Sequence, residues 1–336
     1  MIYGHGDDSY KYTGIRYNFS SNTRPGGLYT GLVKHLRQHI EAAESYPEPM
    51  AQALAQRIEE VQGLAAGSVL ICNGAVEAFY LLAAWRQKSH SLVLSPSFSD
   101  YEDACRMYEH HLDFCSNTDL DLETVTYPDM FWMCNPNNPD GKVFEVPKIK
   151  AAVRQNPQTL FMLDEAYVDF IERKLSLEQW APQQPNLVVV RSLTKRFSMP
   201  GLRLGYMVAH PDIIQRVSQK LIPWRINVLA QKAGWYCFAD EYQDDFDLSA
   251  YLRESAAFKQ GIQALEGFEL VPSETPYFLV KTPMKAKVLK EYLARKHQIL
   301  IRDASNFRGL DEHYIRLSTQ CEEANRELIK ALRQWS

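Results

Sequence analysis

The sequence lacks cysteine pairs that could staple a fold. Its six cysteines, Cys72, Cys105, Cys115, Cys134, Cys237 and Cys321, form no C-x-x-C step, and no histidine stands beside one at zinc spacing. In a chain of 336 residues this reads as a set of reduced intracellular thiols, so neither a disulfide framework nor a cysteine zinc site is expected. An excess of charge of one sign is missing too. The 37 Lys and Arg against 41 Asp and Glu leave a formal charge of −4, which offers no bulk attraction to nucleic acid or anionic lipid. A local basic pocket stays open. The longest apolar stretch, Val69 to Trp85, is interrupted by Asn73, Gly74 and Glu77, so no membrane span is expected. The start, MIYGHGDDSYKY, has no apolar signal core, and a cytoplasmic location is the expectation. Internal repeats, low-complexity tracts and Gly/Ser linkers are absent.

What is present is ordinary globular material, 46% hydrophobic and 23% charged, with length for one large α/β domain or two moderate ones. Short apolar runs at 68–72, 91–95, 131–134, 159–163, 186–190 and 204–208 lack strict alternation, as strands buried on both faces do. Helical patterns, such as Val76 to Trp85 and Tyr101 to Tyr108, lie between several of them. The expected fold class is therefore α/β, a mostly parallel sheet with helices on both faces. Residues 1–30 are turn-rich, and a helix is expected from about Leu28 to Ala43. After Pro223 the pattern changes to long helices over roughly 226–265. Strand-like pieces then follow near Phe268–Val271, Tyr277–Val280, Ile299–Arg302 and Tyr314–Ser318. The expected organisation is an N-terminal segment (1–30) joining a small domain, a large α/β domain (31–225), and the small α+β domain itself (226–336).

Ligands of an open parallel sheet sit beyond the carboxyl ends of its strands, so chemistry is sought there. Asn73-Gly74 opens a helix at Ala75, where a phosphate fits free N–H groups and the positive end of the dipole; a plain strand–turn–helix joint reads the same. Tyr101, in Pro96-Ser97-Phe98-Ser99-Asp100-Tyr101, offers a stacking platform or a core aromatic. Asn138 sits in the dense turn Asn135-Pro136-Asn137-Asn138-Pro139-Asp140-Gly141. Asp164 leaves a buried strand as a ring-nitrogen partner, a metal ligand or a helix cap. Lys195, at another strand exit, wants a covalent or charged partner, and Ser192, Thr194 and Arg203 around it are phosphate-holding types. Each segment alone admits a structural reading. Together they supply a phosphate site, a platform, an amide, an acid and a lysine, which is the set that pyridoxal 5′-phosphate needs.

In order and spacing, Asn138-Pro139-x-Gly141, Asp164-x-Ala166-Tyr167 and Ser192-x-Thr194-Lys195 with Arg203 resemble the fold-type I aminotransferase superfamily over nearly the whole chain. The resemblance implies that Lys195 carries the cofactor and Asp164 pairs with the pyridinium nitrogen. It implies that Asn138 and Tyr167 reach the ring hydroxyl, and that Tyr101 stacks on the ring. Gly74, Ala75, Ser192, Thr194 and Arg203 would hold the phosphate. Tyr46 would reach that phosphate from a neighbouring subunit, so a homodimer is implied.

Within the superfamily the chain looks like the branch of histidinol-phosphate aminotransferases and threonine-phosphate decarboxylases. Ile299-Leu300-Ile301-Arg302 and Tyr314-Ile315-Arg316-Leu317 match two C-terminal arginine strands. Arg316 is implied for the substrate carboxylate and Arg302 for its phosphate; a surface ion pair is the other reading for either. His5-Gly6, Asn18-Phe19-Ser20-Ser21-Asn22 and Pro223-Trp224-Arg225-Ile226-Asn227 resemble decarboxylase segments, which places His5, Gly6 and Asn22 beside the substrate. Asp7 stands where that pattern has a second glycine, and Asp140 where it has threonine. The implied reaction is pyridoxal-phosphate-dependent decarboxylation of O-phospho-L-threonine to (R)-1-aminopropan-2-yl phosphate for cobalamin assembly. The alternative is amino transfer on histidinol phosphate or another amino acid.

Overall fold

Adjacent residues of the central strands belong to different cores. Val69, Ile71, Leu187 and Val189 pack into one buried cluster, while Leu70, Cys72, Val188 and Val190 pack into another. Side chains alternate across a sheet, so apolar runs without alternation bury both faces. In the computed structural model of the chain, residues 7–118, 120–240, 242 and 246–335 are described.

The N-terminal part contributes β1 (Tyr17–Asn18), α1 (Thr30–Gln38) and α2 (Gln52–Gln62). Then come β2 (Val69–Cys72), α3 (Ala75–Trp85), β3 (His90–Ser95), α4 (Asp100–Met107), β4 (His111–Ser116), β5 (Met130–Cys134), α5 (Val146–Gln155) and β6 (Leu160–Asp164). These are followed by β7 (Leu187–Ser192), the single turn α6 (Leu193–Arg196), β8 (Gly205–Ala209), α7 (Pro211–Ser218) and α8 (Val228–Cys237). The C-terminal part holds α9 (Leu248–Gln263), β9 (Glu269–Leu270), β10 (Tyr277–Lys281), α10 (Ala286–His297), β11 (Ile299–Leu300), β12 (Arg302–Asp303), β13 (Tyr314–Ser318) and α11 (Glu322–Arg333).

The large sheet runs β2-β8-β7-β6-β5-β3-β4. All of it is parallel except β8, which lies antiparallel between β2 and β7. Residues 193–204 connect β7 to β8 with only one α-helical turn and one 3₁₀ turn, too little for a parallel crossover. Sequence reading omits β4, because this edge strand is half exposed and its HLDFCS run is polar. The helix expected from Leu28 to Ala43 is shorter. It stops at Gln38, and a 3₁₀ segment, Ile40–Glu44, follows. The 226–265 stretch is two helices, started by Asn227 and Asp247 side chains that accept from the Ala230 and Ala250 N–H groups, each at 2.8 Å.

The expected domain boundary after residue 225 falls ahead of α8. Yet Ala230, Ala233 and Cys237 of α8 join the core under the large sheet. The crossing to the small domain therefore lies after α8. The small domain has a four-stranded sheet, β12-β13-β10-β9, and its own core. The N-terminal segment is built into it: β1 pairs with β11, and Phe19 N–H donates to Leu300 O at 2.7 Å. This places residues 20–22 between the two cores. Among the described residues no helix is long and apolar enough to cross a membrane.

Candidate active site

A cavity of about 250 Å³ opens where the exits of β2, β3, β5, β6 and β7 face residues 20–22 and the small domain. Four cations, Lys195, Arg203, Arg302 and Arg316, and two carboxylates, Asp7 and Asp164, line it. The excess of positive charge favours an anionic ligand.

The β2–α3 turn forms one wall. Gly74 has φ 75°, which strains any side chain, and a Cβ there, 2.4 Å from Arg203 Nη2, would push the Arg203 guanidinium from its place. Arg203 is itself left-handed at φ 58° and donates to Pro200 O at 3.1 Å. Ser192 and Thr194 hydroxyls lie 2.8 Å apart. With the start of α3 at Ala75 they form a cradle of donors suited to a phosphate. Arg225 supports it from behind: its guanidinium grips Glu77 and Ile71 O, while Glu77 accepts from Asn73 N–H at 2.6 Å. Sequence reading passes over this arginine, although Pro223-Trp224-Arg225 marks its place.

Asp164 ends β6 fully inside. Its Oδ1 accepts from Ala166 N–H at 2.9 Å and its Oδ2 from Tyr101 OH at 2.6 Å. Burial raises its pKa, and these two bonds and the Lys195 charge oppose that rise. Lys195 is pushed down to about 8, first by burial and then by the Arg316 and Arg203 charges, with Asp164 acting the other way. Burial pushes the Tyr167 phenol up, and Arg316 opposes this.

Tyr101 requires a correction. It is fully buried, absent from the cavity lining, and set edge-on to Phe79 with centroids 4.8 Å apart. It braces Asp164 and is no platform for a ring. Phe98, three residues earlier and just ahead of α4, lines the cavity instead. Both aromatics stood in one sequence segment, and the start of α4 decided which of them turned inward.

Asn138 is held by its turn. Gly141 has φ 73°, and a Cβ there would lie 2.0 Å from Ser273 Oγ. Asp140 accepts from Asn137 Nδ2 at 2.8 Å and Asn117 Nδ2 at 2.5 Å, so it braces the turn in place of threonine. Asn138 Oδ1 accepts from Arg316 Nη1 at 2.6 Å, and Arg316 Nη2 donates to Ser20 O at 2.6 Å. Arg316 Nε is buried without a partner. Arg302 lies opposite Arg316 on the neighbouring strand, bonded to Asp303 O and Asn306 Oδ1, both at 2.8 Å. Burial and Arg316 push it down to about 10. The buried Asn22 amide has neither of its polar atoms in a regular hydrogen bond, although it lies near enough to Tyr167 to ease that phenol's ionisation.

Three expected residues stand apart. His5 and Gly6 lie outside the described residues. Asp7 does line the cavity, its carboxylate taking Asn18 Nδ2 and Ser9 N–H at 2.8 Å each. Tyr46 is 87% exposed beside Trp224 and is not among the residues that line the cavity. Phe307 also lines it and carries no motif, while Ser20 lines it from within the Asn18–Asn22 segment, where sequence reading singles out Asn22 alone.

The cavity thus pairs a cradle of donors at a helix start with a lysine of depressed pKa and a buried aspartate, and these residues fit pyridoxal 5′-phosphate. The fold and site define a pyridoxal-phosphate enzyme of the aminotransferase type. The chain belongs to the class I and II aminotransferase family, whose family model matches residues 18–332. It is 29% identical to the threonine-phosphate decarboxylase of Salmonella typhimurium, over 94% of this chain and 90% of that one. It is 37% identical to the solved L-threonine-O-3-phosphate decarboxylase of Porphyromonas gingivalis, with TM-score 0.91, covering 95% of this chain and 99% of that one. The fold also matches the histidinol-phosphate aminotransferase of Sinorhizobium meliloti solved with pyridoxal-5′-phosphate, at 20% identity and TM-score 0.83, over 95% and 90% of the two chains.

Proposed function

We propose that the protein decarboxylates O-phospho-L-threonine to (R)-1-aminopropan-2-yl phosphate, a step that serves cobalamin assembly. The observation that carries this reading is the pair Arg302 and Arg316. They are in register on adjacent strands, both are buried, and both line the cavity. No carboxylate is bonded to either guanidinium through the hydrogen bonds found among the described residues. Two such cations suit a substrate with a carboxylate at one end and a phosphate at the other. The likeness to the two decarboxylases supports the same substrate class.

Pyridoxal 5′-phosphate, when bound, supplies the electron sink for a bond broken at the substrate Cα. Lys195 Nζ is the amine that would hold it. Gly74, Ala75, Ser192, Thr194 and Arg203 would hold its phosphate, and Asp164 a proton on its ring nitrogen. Asn138 has its oxygen taken by Arg316, so its NH₂ is what it offers a ring hydroxyl, together with Tyr167 OH. Arg316, braced by Asn138 and Ser20, grips the substrate carboxylate and fixes its direction. Arg302 and Asn22 take the phosphate. Orientation then selects the bond: Arg316 and Arg302 would fix which substituent of the substrate Cα is placed to leave. Decarboxylation cleaves the Cα–carboxylate bond, releases carbon dioxide and returns one proton to Cα. Lys195 Nζ, of pKa about 8, is placed to hold and deliver that proton. Exposed Tyr46 and Trp224 supply an apolar surface for a second copy of the chain in a homodimer.

Amino transfer from histidinol phosphate uses the same residue types and is the second reading. Incubation of the cofactor-loaded protein with phosphothreonine should release carbon dioxide stoichiometrically with the amine. No release, together with 2-oxoglutarate-dependent turnover of histidinol phosphate, overturns the decarboxylase reading.

A further inference from the structure

The parallel pairing of β3 with β4 builds a second cluster of side chains, away from the cavity. His90 opens β3, His111 opens β4, and the ladder sets the two in register. Asp113, two residues beyond His111, projects on the same face of its strand. The imidazole rings stand 4.6 Å apart, centroid to centroid. His90 Nε2 is 2.7 Å from Asp113 Oδ2. One ligating atom from each of the three residues lies within 4.8 Å of the others.

The neighbouring groups leave this set intact. His110 is engaged at both nitrogens, by Ser91 Oγ at 2.8 Å and Ala83 O at 3.0 Å. Asp129 accepts from the His90 backbone N–H at 2.8 Å, which fixes the start of β3. His90, His111 and Asp113 themselves reach solvent, so an ion can enter and water can complete its coordination.

We propose that His90, His111 and Asp113 form a binding site for a divalent transition-metal ion of the zinc class. Two imidazoles and one carboxylate select such ions over magnesium or calcium, which prefer oxygen. Ligands of a tetrahedral zinc at ~2.0 Å lie ~3.3 Å apart, so the widest present separation, at most 4.8 Å, needs to close by no more than ~1.5 Å, and the 2.7 Å His90–Asp113 contact to open slightly, both within reach of side-chain rotation. The ladder holds the backbone in place meanwhile. The bound ion ties edge strand β4 to β3. It sits at the amino end of β3, whereas the cavity lies past its carboxyl end. Catalysis therefore does not need the ion.

The test titrates Zn²⁺ into the cofactor-loaded protein by calorimetry. A C321S background is used, since Cys321 is exposed. One zinc per chain is expected, with a rise in melting temperature and little heat from Mg²⁺. H90N/H111N should bind zinc more than ~10-fold more weakly, lose the melting shift and keep its catalytic rate. H111Q alone, on the exposed edge, repeats the comparison if the double variant fails to hold cofactor. Equal zinc uptake by the parent and these variants, or equal affinity for Mg²⁺, overturns the proposal.

Discussion

Two charge clusters meet at the ends of β6 and β7, and adjacent residues feed them. Asp164 faces the cavity, while Glu165 faces the other way. Behind the cavity Arg191 reaches Asp169 at 3.1 Å, Glu165 at 3.3 Å and Glu178 at 3.6 Å. Tyr206 donates to Glu178 at 2.8 Å, and Leu177 N–H to Glu165 at 2.7 Å. Burial still pushes Glu165 up to about 7 against the pull of Arg191. That cluster is closed on itself. The cavity cluster is open: four cations face two carboxylates, and Arg316 leans on neutral oxygens. Burial and mutual repulsion depress Lys195 and Arg302. Paired charge stabilises the fold, whereas unpaired charge is held ready for a ligand's phosphate and carboxylate.

The largest expected effect comes from Lys195→Ala. Turnover should fall by ~10³-fold or more with an unchanged circular dichroism spectrum, and full activity would remove Lys195 from the mechanism. Next comes the pair that separates the two clusters. Arg191→Met strands buried carboxylates and should cost about 3–5 kcal/mol of stability in denaturant unfolding, with activity per cofactor-loaded chain nearly intact. Arg316→Gln should instead lower kcat/KM about 10- to 100-fold, as losing a charged hydrogen bond does, at small cost in stability. Similar destabilisation by both variants would erase the distinction.

A pH series sharpens it further. Lys195 in the folded chain titrates near 8 and ordinarily near 10.5. Between these values the unfolded chain holds a proton that the folded chain has released. The stability of cofactor-free protein should therefore rise with pH across that window, by on the order of 1–3 kcal/mol. Half-buried Lys259, also near 8, adds a second share, so Lys195→Met should remove only part of the rise. A slope unchanged in that variant would place the titration elsewhere. The smallest effect is expected for Tyr101→Phe. It deletes one hydrogen bond to the Asp164 carboxylate, about 1.5–3 kcal/mol of stability, and steady-state turnover should drop by no more than ~10-fold. A loss as large as that of the lysine variant would restore Tyr101 to direct contact.

Much of the site was legible because each strand exit carries its own local signature. Asn138 in its turn, Asp164 after an apolar run and Lys195 between Thr194 and Arg196 need only spacing to be noticed. The choice between Phe98 and Tyr101 was not legible, since both are aromatic and one helical turn apart. Arg225 was hidden because its partners, Glu77 and Ile71, come from a distant segment. The His90–His111–Asp113 cluster escaped for the same reason: no local spacing joins two strands 21 positions apart, and only their register does.

By itself the sequence determined the α/β layering, through short apolar runs that bury both faces of a sheet, and the chemical types at the strand exits. Both are local properties of hydrophobicity and backbone preference. Tertiary structure alone decided that β8 runs antiparallel, that α8 joins the large core, and that Phe98 and Phe307 line the cavity with Lys195. Those outcomes depend on contacts between residues far apart in the chain. Only there do burial and neighbouring charge turn an ordinary lysine into one that gives up its proton near pH 8.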